Sequence, residues 1–70
     1  MDICIGGILN GQKRKDNHNY FKVDSHYSEY GSEYSKEYFH LNGRIFSFWV
    51  SKEMNFIEAQ KRVESYLVEV

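Results

Sequence analysis

The chain has 70 residues, of which 41% are hydrophobic, 27% are charged and 17% are aromatic, and its formal net charge is -1. This length supports one core and therefore a single domain over residues 1–70, while the balanced charge excludes the strongly basic surface of a general nucleic-acid binder. One cysteine, Cys4, excludes an internal disulfide, and no apolar run is long enough to span a membrane.

The first eleven residues predict a strand followed by a turn. Ile3, Ile5 and Leu9 can share one strand face, and Gly6-Gly7 indicates a bulge or a close backbone approach. The pair Asn10-Gly11 is typical of a type I′ hairpin, because both residues tolerate a positive φ. An acidic second residue stands where a signal peptide needs positive charge, so we expect a protein that remains in the cytoplasm.

The next segment is polar and basic, and a short strand is predicted to follow over residues 20–23. A basic patch next to aromatic rings is typical of proteins that bind single-stranded nucleic acid by stacking. Such binding is the alternative hypothesis for this chain, and acidic residues immediately downstream argue against it. Its basic residues would be Lys13, Arg14 and Lys15, and its rings would be Tyr20, Phe21 and Trp49.

Residues 25–38 read SHYSEYGSEYSKEY, in which tyrosines are separated by serine, glutamate, one lysine and one glycine. Tyrosine with serine and glycine is the composition of binding loops, since the ring supplies contact area at a small cost in rotamer entropy. A solvated loop or irregular hairpin whose rings lie over neighbouring strands is the competing interpretation. A regular helix is disfavoured by the serine content, by Gly31 and by the strand that contains Tyr38.

The pair Asn42-Gly43 predicts a second hairpin with a two-residue turn. It sets Leu41 opposite Arg44, Phe39 opposite Phe46 and Glu37 opposite Phe48. The intervening pairs are His40 with Ile45, Tyr38 with Ser47 and Lys36 with Trp49. Alternation then predicts one core face (Phe39, Leu41, Phe46, Phe48, Val50) and one opposite face (Tyr38, His40, Ile45, Ser47, Trp49).

The C-terminal segment predicts a helix that begins after Asn55. Asn55 is suited to the N-cap, and Glu58 three residues later completes a pattern like a capping box. Apolar residues then recur every three or four positions, at Phe56, Ala59, Val63, Tyr66, Leu67 and Val70. We therefore predict an α+β fold in the order β-β-β-β-β-α: a small antiparallel sheet of four to five strands, with one C-terminal helix packed on one face.

One helix covers one face of a small sheet, so the opposite face stays exposed unless the Tyr-rich segment or a second subunit covers it. We therefore expect a non-enzymatic protein-binding module that binds itself or another protein. A homodimer through this face is the simplest version. The predicted partner-binding residues are Tyr27, Tyr30, Tyr34, Tyr38, His40, Ile45 and Trp49.

Motifs for catalysis or for a metal are not evident. The glycine-rich segment before Lys13 resembles a phosphate loop, but Gln12 separates Gly11 from Lys13, and Arg14 replaces the hydroxyl residue that binds Mg²⁺. The three histidines and Cys4 lack the short spacing with which one turn presents two zinc ligands. We expect no enzymatic activity, no cofactor and no metal.

The turn Gly6-Gly7-Ile8-Leu9-Asn10-Gly11-Gln12 and the segment from Ser51 to Ala59 resemble small accessory proteins of tailed bacteriophages and prophages. Such proteins often open with a strand, a Gly-Gly-x-Leu-Asn/Asp-Gly turn and a basic return strand. They often close with a strand and a capped helix containing Glu-Ala, here Glu58-Ala59. The resemblance assigns no residue a role. It implies an accessory protein of a bacterial host cytoplasm that binds a host protein.

Overall fold

The computed structural model describes residues 2–23 and 32–68, apart from the side chain of Val68. Within these residues the chain forms five strands and one helix: β1 (Asp2–Ile5), β2 (Lys13–Arg14), β3 (Tyr20–Lys22), β4 (Glu33–Leu41), β5 (Arg44–Ser51) and α1 (Phe56–Val68). The α+β class and the predicted order of elements are confirmed. In the described ranges, no helix has the length and apolar character needed to cross a membrane.

The five strands form one mixed sheet in the order β2-β1-β5-β4-β3. Neighbouring strands are antiparallel in three pairs, β1–β2, β3–β4 and β4–β5, as expected. The pair β1–β5 is parallel, with Cys4 opposite Trp49 and Ile5 opposite Val50. Parallel strands need a long connection rather than a tight turn, so the turn signals of the sequence did not specify this pair.

The hairpin of β4 and β5 has the predicted register throughout, from Leu41 opposite Arg44 to Lys36 opposite Trp49. Its turn residues Asn42 and Gly43 have φ values of 52° and 77°. Both values are those of a type I′ turn, whose twist matches the twist of the flanking strands. The local sequence signal therefore fixes which residues of β4 and β5 share a face.

The hairpin of β1 and β2 differs from the prediction, because residues 6–12 form a longer loop in place of a two-residue turn. Gly6, Gly7 and Gly11 have positive φ values of 78°, 67° and 84°, whereas Asn10 does not. Asn10 instead accepts a hydrogen bond through its side-chain Oδ1 from the Gly6 N–H, at 2.7 Å. Leu9 therefore leaves the strand face expected for it and packs against the side of the sheet opposite α1.

Helix α1 begins as predicted, with Asn55 as its N-cap. The Glu58 N–H donates to Asn55 Oδ1 at 2.8 Å, and the Ala59 N–H donates to the Asn55 carbonyl oxygen at 3.0 Å. The bond from Glu58 satisfies a donor that the first helical turn leaves without a partner, and the bond from Ala59 is the first regular hydrogen bond of the helix. The helix packs on the predicted core face, and the buried residues of this first core are Ile5, Phe39, Phe48, Val50, Ala59 and Val63.

A second core lies on the opposite face of the same sheet. It consists of Cys4, Phe21, Tyr34 and Trp49, with Leu9 and Val23 packed against it. The Phe21 ring stacks on Tyr34 with centroids 5.0 Å apart and meets Trp49 edge-on at 4.8 Å. Both faces of the sheet therefore carry a buried apolar cluster, whereas the sequence predicted a core on the helix face alone.

Candidate functional site

The Tyr-rich segment is divided by the structure. Tyr27 and Tyr30 lie outside the described residues, whereas Tyr34 and Tyr38 belong to β4 and point to the face opposite α1. Tyr34 is fully buried, and Tyr38 is 57% exposed. Of the tyrosines predicted to bind a partner, Tyr38 is thus the one for which the described structure provides a surface position.

Trp49 is 0% exposed, which corrects the expectation that it would form part of an open surface. Its Nε1–H donates to the Arg14 carbonyl oxygen at 3.1 Å, and Lys36 Nζ lies 4.9 Å from its ring centroid. Lys36 is held in this position by Asp2, at 3.5 Å. The cover over Trp49 therefore comes from β2, β3 and a lysine of β4, which the alternation pattern of one hairpin cannot reveal.

Tyr34 is also removed from the candidate surface, because its hydroxyl holds the loop between β1 and β2. The Oη–H donates to the Gly6 carbonyl oxygen at 2.6 Å, and the same oxygen accepts from the Leu9 N–H at 2.9 Å. Burial raises the pKa of Tyr34, and the bond from Leu9 partly opposes this rise. The Tyr34 hydroxyl therefore stabilises the loop between β1 and β2 and does not form part of a binding surface.

Arg14, the middle residue of the basic patch, contacts other residues of the fold. The Arg14 guanidinium lies 3.8 Å from the Phe21 ring centroid and 3.4 Å from the Asp16 carboxylate. It therefore makes a cation–π contact and an ion pair with residues of its own chain. Hydrogen bonds from the main chain and side chain of His18 hold the pKa of Asp16 below its usual range, which keeps a negative charge beside Arg14.

Lys13 and Lys15 are exposed on either side of Arg14. Two of the three rings expected to stack on bases, Phe21 and Trp49, are buried. The third ring belongs to Tyr20, which is 43% exposed and whose Oη–H donates to Glu33 at 2.6 Å. Of the three rings that the nucleic-acid hypothesis needs, Tyr20 is therefore the one that stays exposed.

Three predicted residues come together at the end of the β4–β5 hairpin. Tyr38, His40 and Ile45 project from the face opposite α1, and His40 is directly opposite Ile45. Ile45 is 64% exposed and His40 is exposed as well. We call these three residues the arm surface, which is what remains of the predicted partner-binding residues within the described ranges after burial of Tyr34 and Trp49.

Next to the arm surface, β4 has an edge that β3 does not reach. Strand β3 pairs only with Glu33–Ser35, and the last bond across this edge runs from the Lys36 N–H to the Asn19 carbonyl oxygen at 2.8 Å. Main-chain groups of alternate residues point to the same side of a strand, so those of Tyr38 and His40 also point outward. Among the described residues no strand pairs with residues 37–41 on this side, which we call the β4 edge.

The start of α1 adds two apolar side chains beside the β4 edge. Phe56 is 60% exposed and stacks on Phe39 at 5.8 Å, while Ile57 is 70% exposed. Phe56 and Gln60 line an open cleft of about 230 Å³ together with β4 residues 38–41. Ile57 is three positions before Gln60 and so neighbours it on the helix surface.

The surface positions of Phe56 and Ile57 do not follow from the sequence pattern. Phe56 fits the buried stripe of the helix by its spacing to Ala59 and was predicted to belong to it. Ile57 could have indicated an exposed apolar surface, because it is an apolar residue that lies outside the stripe. Two adjacent apolar residues in a first turn cannot both face the sheet, since successive side chains differ by about 100° around a helix.

A metal centre has no support within residues 2–23 and 32–68, where no three histidine, cysteine, aspartate or glutamate side chains gather closely enough to hold an ion. Comparisons of the chain with protein families, with curated proteins and with solved structures found no match. The geometry of the arm surface and the β4 edge is therefore the basis for a functional conclusion.

Proposed function

We propose that this chain is a non-enzymatic protein-binding module that holds its partner at the arm surface and the β4 edge. One observation carries the proposal: large apolar side chains are exposed on both faces of a strand edge with which no described strand pairs. Tyr38 and Ile45 lie on one face, and Phe56 and Ile57 lie on the other. Aromatic and aliphatic side chains around free main-chain donors and acceptors are the combination used in binding by strand addition.

The β4 edge also lacks the devices by which edge strands usually avoid association. Proteins protect such edges with proline, outward lysine, bulges or short strands. The chain contains no proline, and the ladder between β4 and β5 runs without a bulge. The nearest lysine, Lys36, is directed to Asp2 and Trp49 instead. The absence of these protective features at the β4 edge supports its proposed role in binding a protein partner.

The partner in this proposal is a second copy of the chain or another protein. The resemblance to phage accessory proteins favours a bacterial host protein in the cytoplasm as the other protein. Binding of single-stranded nucleic acid by Lys13, Arg14 and Lys15 is disfavoured, because Arg14 covers Phe21 and makes an ion pair with Asp16.

Site-specific photocrosslinking tests the proposal on the full chain. A benzophenone amino acid replaces Tyr38, which keeps an aromatic side chain at an exposed position of β4. The matched control carries the same group at Ser65, an exposed helix residue that is two positions after the buried Val63 and two turns beyond Ile57. We expect discrete protein adducts from position 38 and none from position 65 after illumination in bacterial cells.

The mass of each adduct identifies its partner as a second copy or as another protein. No adduct from position 38, in a chain whose circular dichroism matches the parent protein, contradicts the proposed function. Equal adducts from both positions also contradict it, because contact would then not depend on the arm surface.

A further inference from the structure

We propose that the β4 edge binds a second copy of this chain, with the two β4 strands antiparallel and a two-fold axis at Phe39. This inference rests on the proposed function and names the partner for the same surface. A second copy fits because the β4 edge is complementary to itself. In a two-fold contact both copies use the same edge, so each feature of that edge must find a complementary feature on the identical edge of the other copy.

The first complementary feature is the set of outward main-chain groups. With the axis at Phe39, Tyr38 lies opposite His40 of the second copy, and His40 lies opposite Tyr38 of the second copy. Each of these residues contributes one N–H and one carbonyl, so the two pairs form four hydrogen bonds. An axis at Glu37 would bring in Lys36, whose N–H is already bonded to Asn19. An axis at Leu41 would run into the turn at Asn42.

The second feature is apolar. On the helix side, the buried Phe39 lies at the axis, and Phe56, which is 60% exposed and stacked on Phe39, supplies the apolar surface beside it. Ile57 is on the same side of α1 as Gln60, which lines the cleft along β4. Pairing of the edges therefore brings the two exposed helix starts toward each other and removes apolar surface from water.

The third feature is charge. Glu37 would lie opposite Leu41 of the second copy, and Leu41 is paired with Arg44 on the same face. Strands two positions apart are separated by about 10 Å, a distance that glutamate and arginine side chains can span together. Glu37 and Arg44 are exposed, and neither makes an ion pair among the described residues. The two-fold axis places a Glu37–Arg44 pair at each end of the contact.

Charge reversal tests this register by sedimentation velocity over a range of protein concentrations. Glu37→Arg or Arg44→Glu alone sets like charges together at both ends of the contact, so we expect each to weaken self-association about three- to tenfold. An equimolar mixture of the two variants restores opposite charges at both ends. Association of the mixture at the strength of the parent chain is expected, and only a second copy of this chain predicts that rescue.

A main-chain test removes one donor without touching the β4–β5 ladder. His40→Pro deletes an N–H that points outward, whereas His40→Ser keeps it and serves as the matched control. We expect His40→Pro to abolish association and His40→Ser to retain it, with unchanged helical circular dichroism in both. If the proline variant fails to fold, the charge-reversal mixture still decides the question.

A chain that stays monomeric at every concentration overturns the second-copy inference. So does self-association that neither the charge variants nor His40→Pro alters, because the contact would then lie elsewhere. If position 38 crosslinks to a different protein while the chain is monomeric, the proposed function stands and the second copy is rejected.

Discussion

Tyr34 and Tyr38 lie on the same face of β4, yet only Tyr34 has a buried hydroxyl with two main-chain partners. Replacing Tyr34 by Phe leaves the Gly6 carbonyl and the Leu9 N–H without that partner in a covered site. We expect Tyr34→Phe to lower the free energy of unfolding by about 1–3 kcal/mol. Tyr38→Phe removes a hydroxyl from an exposed ring, so its effect should stay within about 0.5 kcal/mol.

Urea denaturation followed by Trp49 fluorescence measures both changes. The comparison isolates the hydroxyl, because both variants lose the same oxygen from the same residue type on the same strand. Equal effects of the two substitutions would mean that the hydrogen bonds of the Tyr34 hydroxyl to the Gly6 carbonyl and from the Leu9 N–H do not stabilise the loop.

Cys4 should make stability depend on alkaline pH. Burial raises the pKa of its thiol above the ordinary value of 9.0, and the nearby Arg14 only partly opposes this rise. The unfolded chain therefore loses its thiol proton first, and the stability linked to the neutral thiol is complete below pH 9.0 and declines as pH rises through the folded-state pKa.

Measuring the free energy of unfolding in urea at several pH values tests this linkage. We expect a decline above pH 9 that becomes shallower in Cys4→Ala, whatever that substitution does to stability at neutral pH. An identical slope in both proteins would show that Cys4 does not contribute to the alkaline decline.

At the scale of the elements, helix α1 depends on its N-cap. Asn55→Ala removes the oxygen that accepts from the Glu58 N–H, and we expect a loss of about 1 kcal/mol. Asn55→Ser keeps an acceptor at the same position and should recover most of the stability. Thermal denaturation followed at 222 nm by circular dichroism compares the three proteins, and similar midpoints for the alanine and serine variants would contradict the capping role.

The β4–β5 hairpin could be predicted from the sequence because neighbouring residues specify its turn and register. Asn42-Gly43 specifies the turn, the turn specifies the register, and the register places Tyr38, His40 and Ile45 on one face. The same dipeptide at Asn10-Gly11 was misleading. There Gly11 has a positive φ but Asn10 does not, so no type I′ turn forms; Gly6 and Gly7 also have positive φ values, and the Asn10 side chain closes the loop.

Residues distant in the chain decide whether a sheet face is covered. Alternation within one hairpin shows which face a side chain lies on, but not what covers that face. Trp49 was therefore placed on the correct face, but its burial by β2, β3 and Lys36 was not foreseen. The parallel pairing of β1 with β5 was missed for the same reason. Phe56 was assigned to the core because periodicity reports which side of a helix is apolar, not how far the sheet extends beneath it.

For the whole molecule, two cores on opposite faces of one sheet should make unfolding a single event. Trp49 reports the second core, and helical circular dichroism reports the first, which α1 covers. We expect the two signals to give the same urea midpoint, since loss of β5 disrupts both cores at once. Separate midpoints would show that the two cores unfold independently.

The position of β1 between β2 and β5 has a consequence for the order of folding. The strand nearest the N-terminus finds its parallel partner only when β5 has been made, because Cys4 pairs with Trp49. The β4–β5 hairpin can close early through its tight turn, whereas β1 must complete a distant contact, and distant contacts slow folding. During synthesis on the ribosome, Trp49 would therefore lack the cover from β2 until the β1–β2 hairpin docks. That docking completes the burial of the Trp49 ring, whereas Tyr38 on the same face stays exposed.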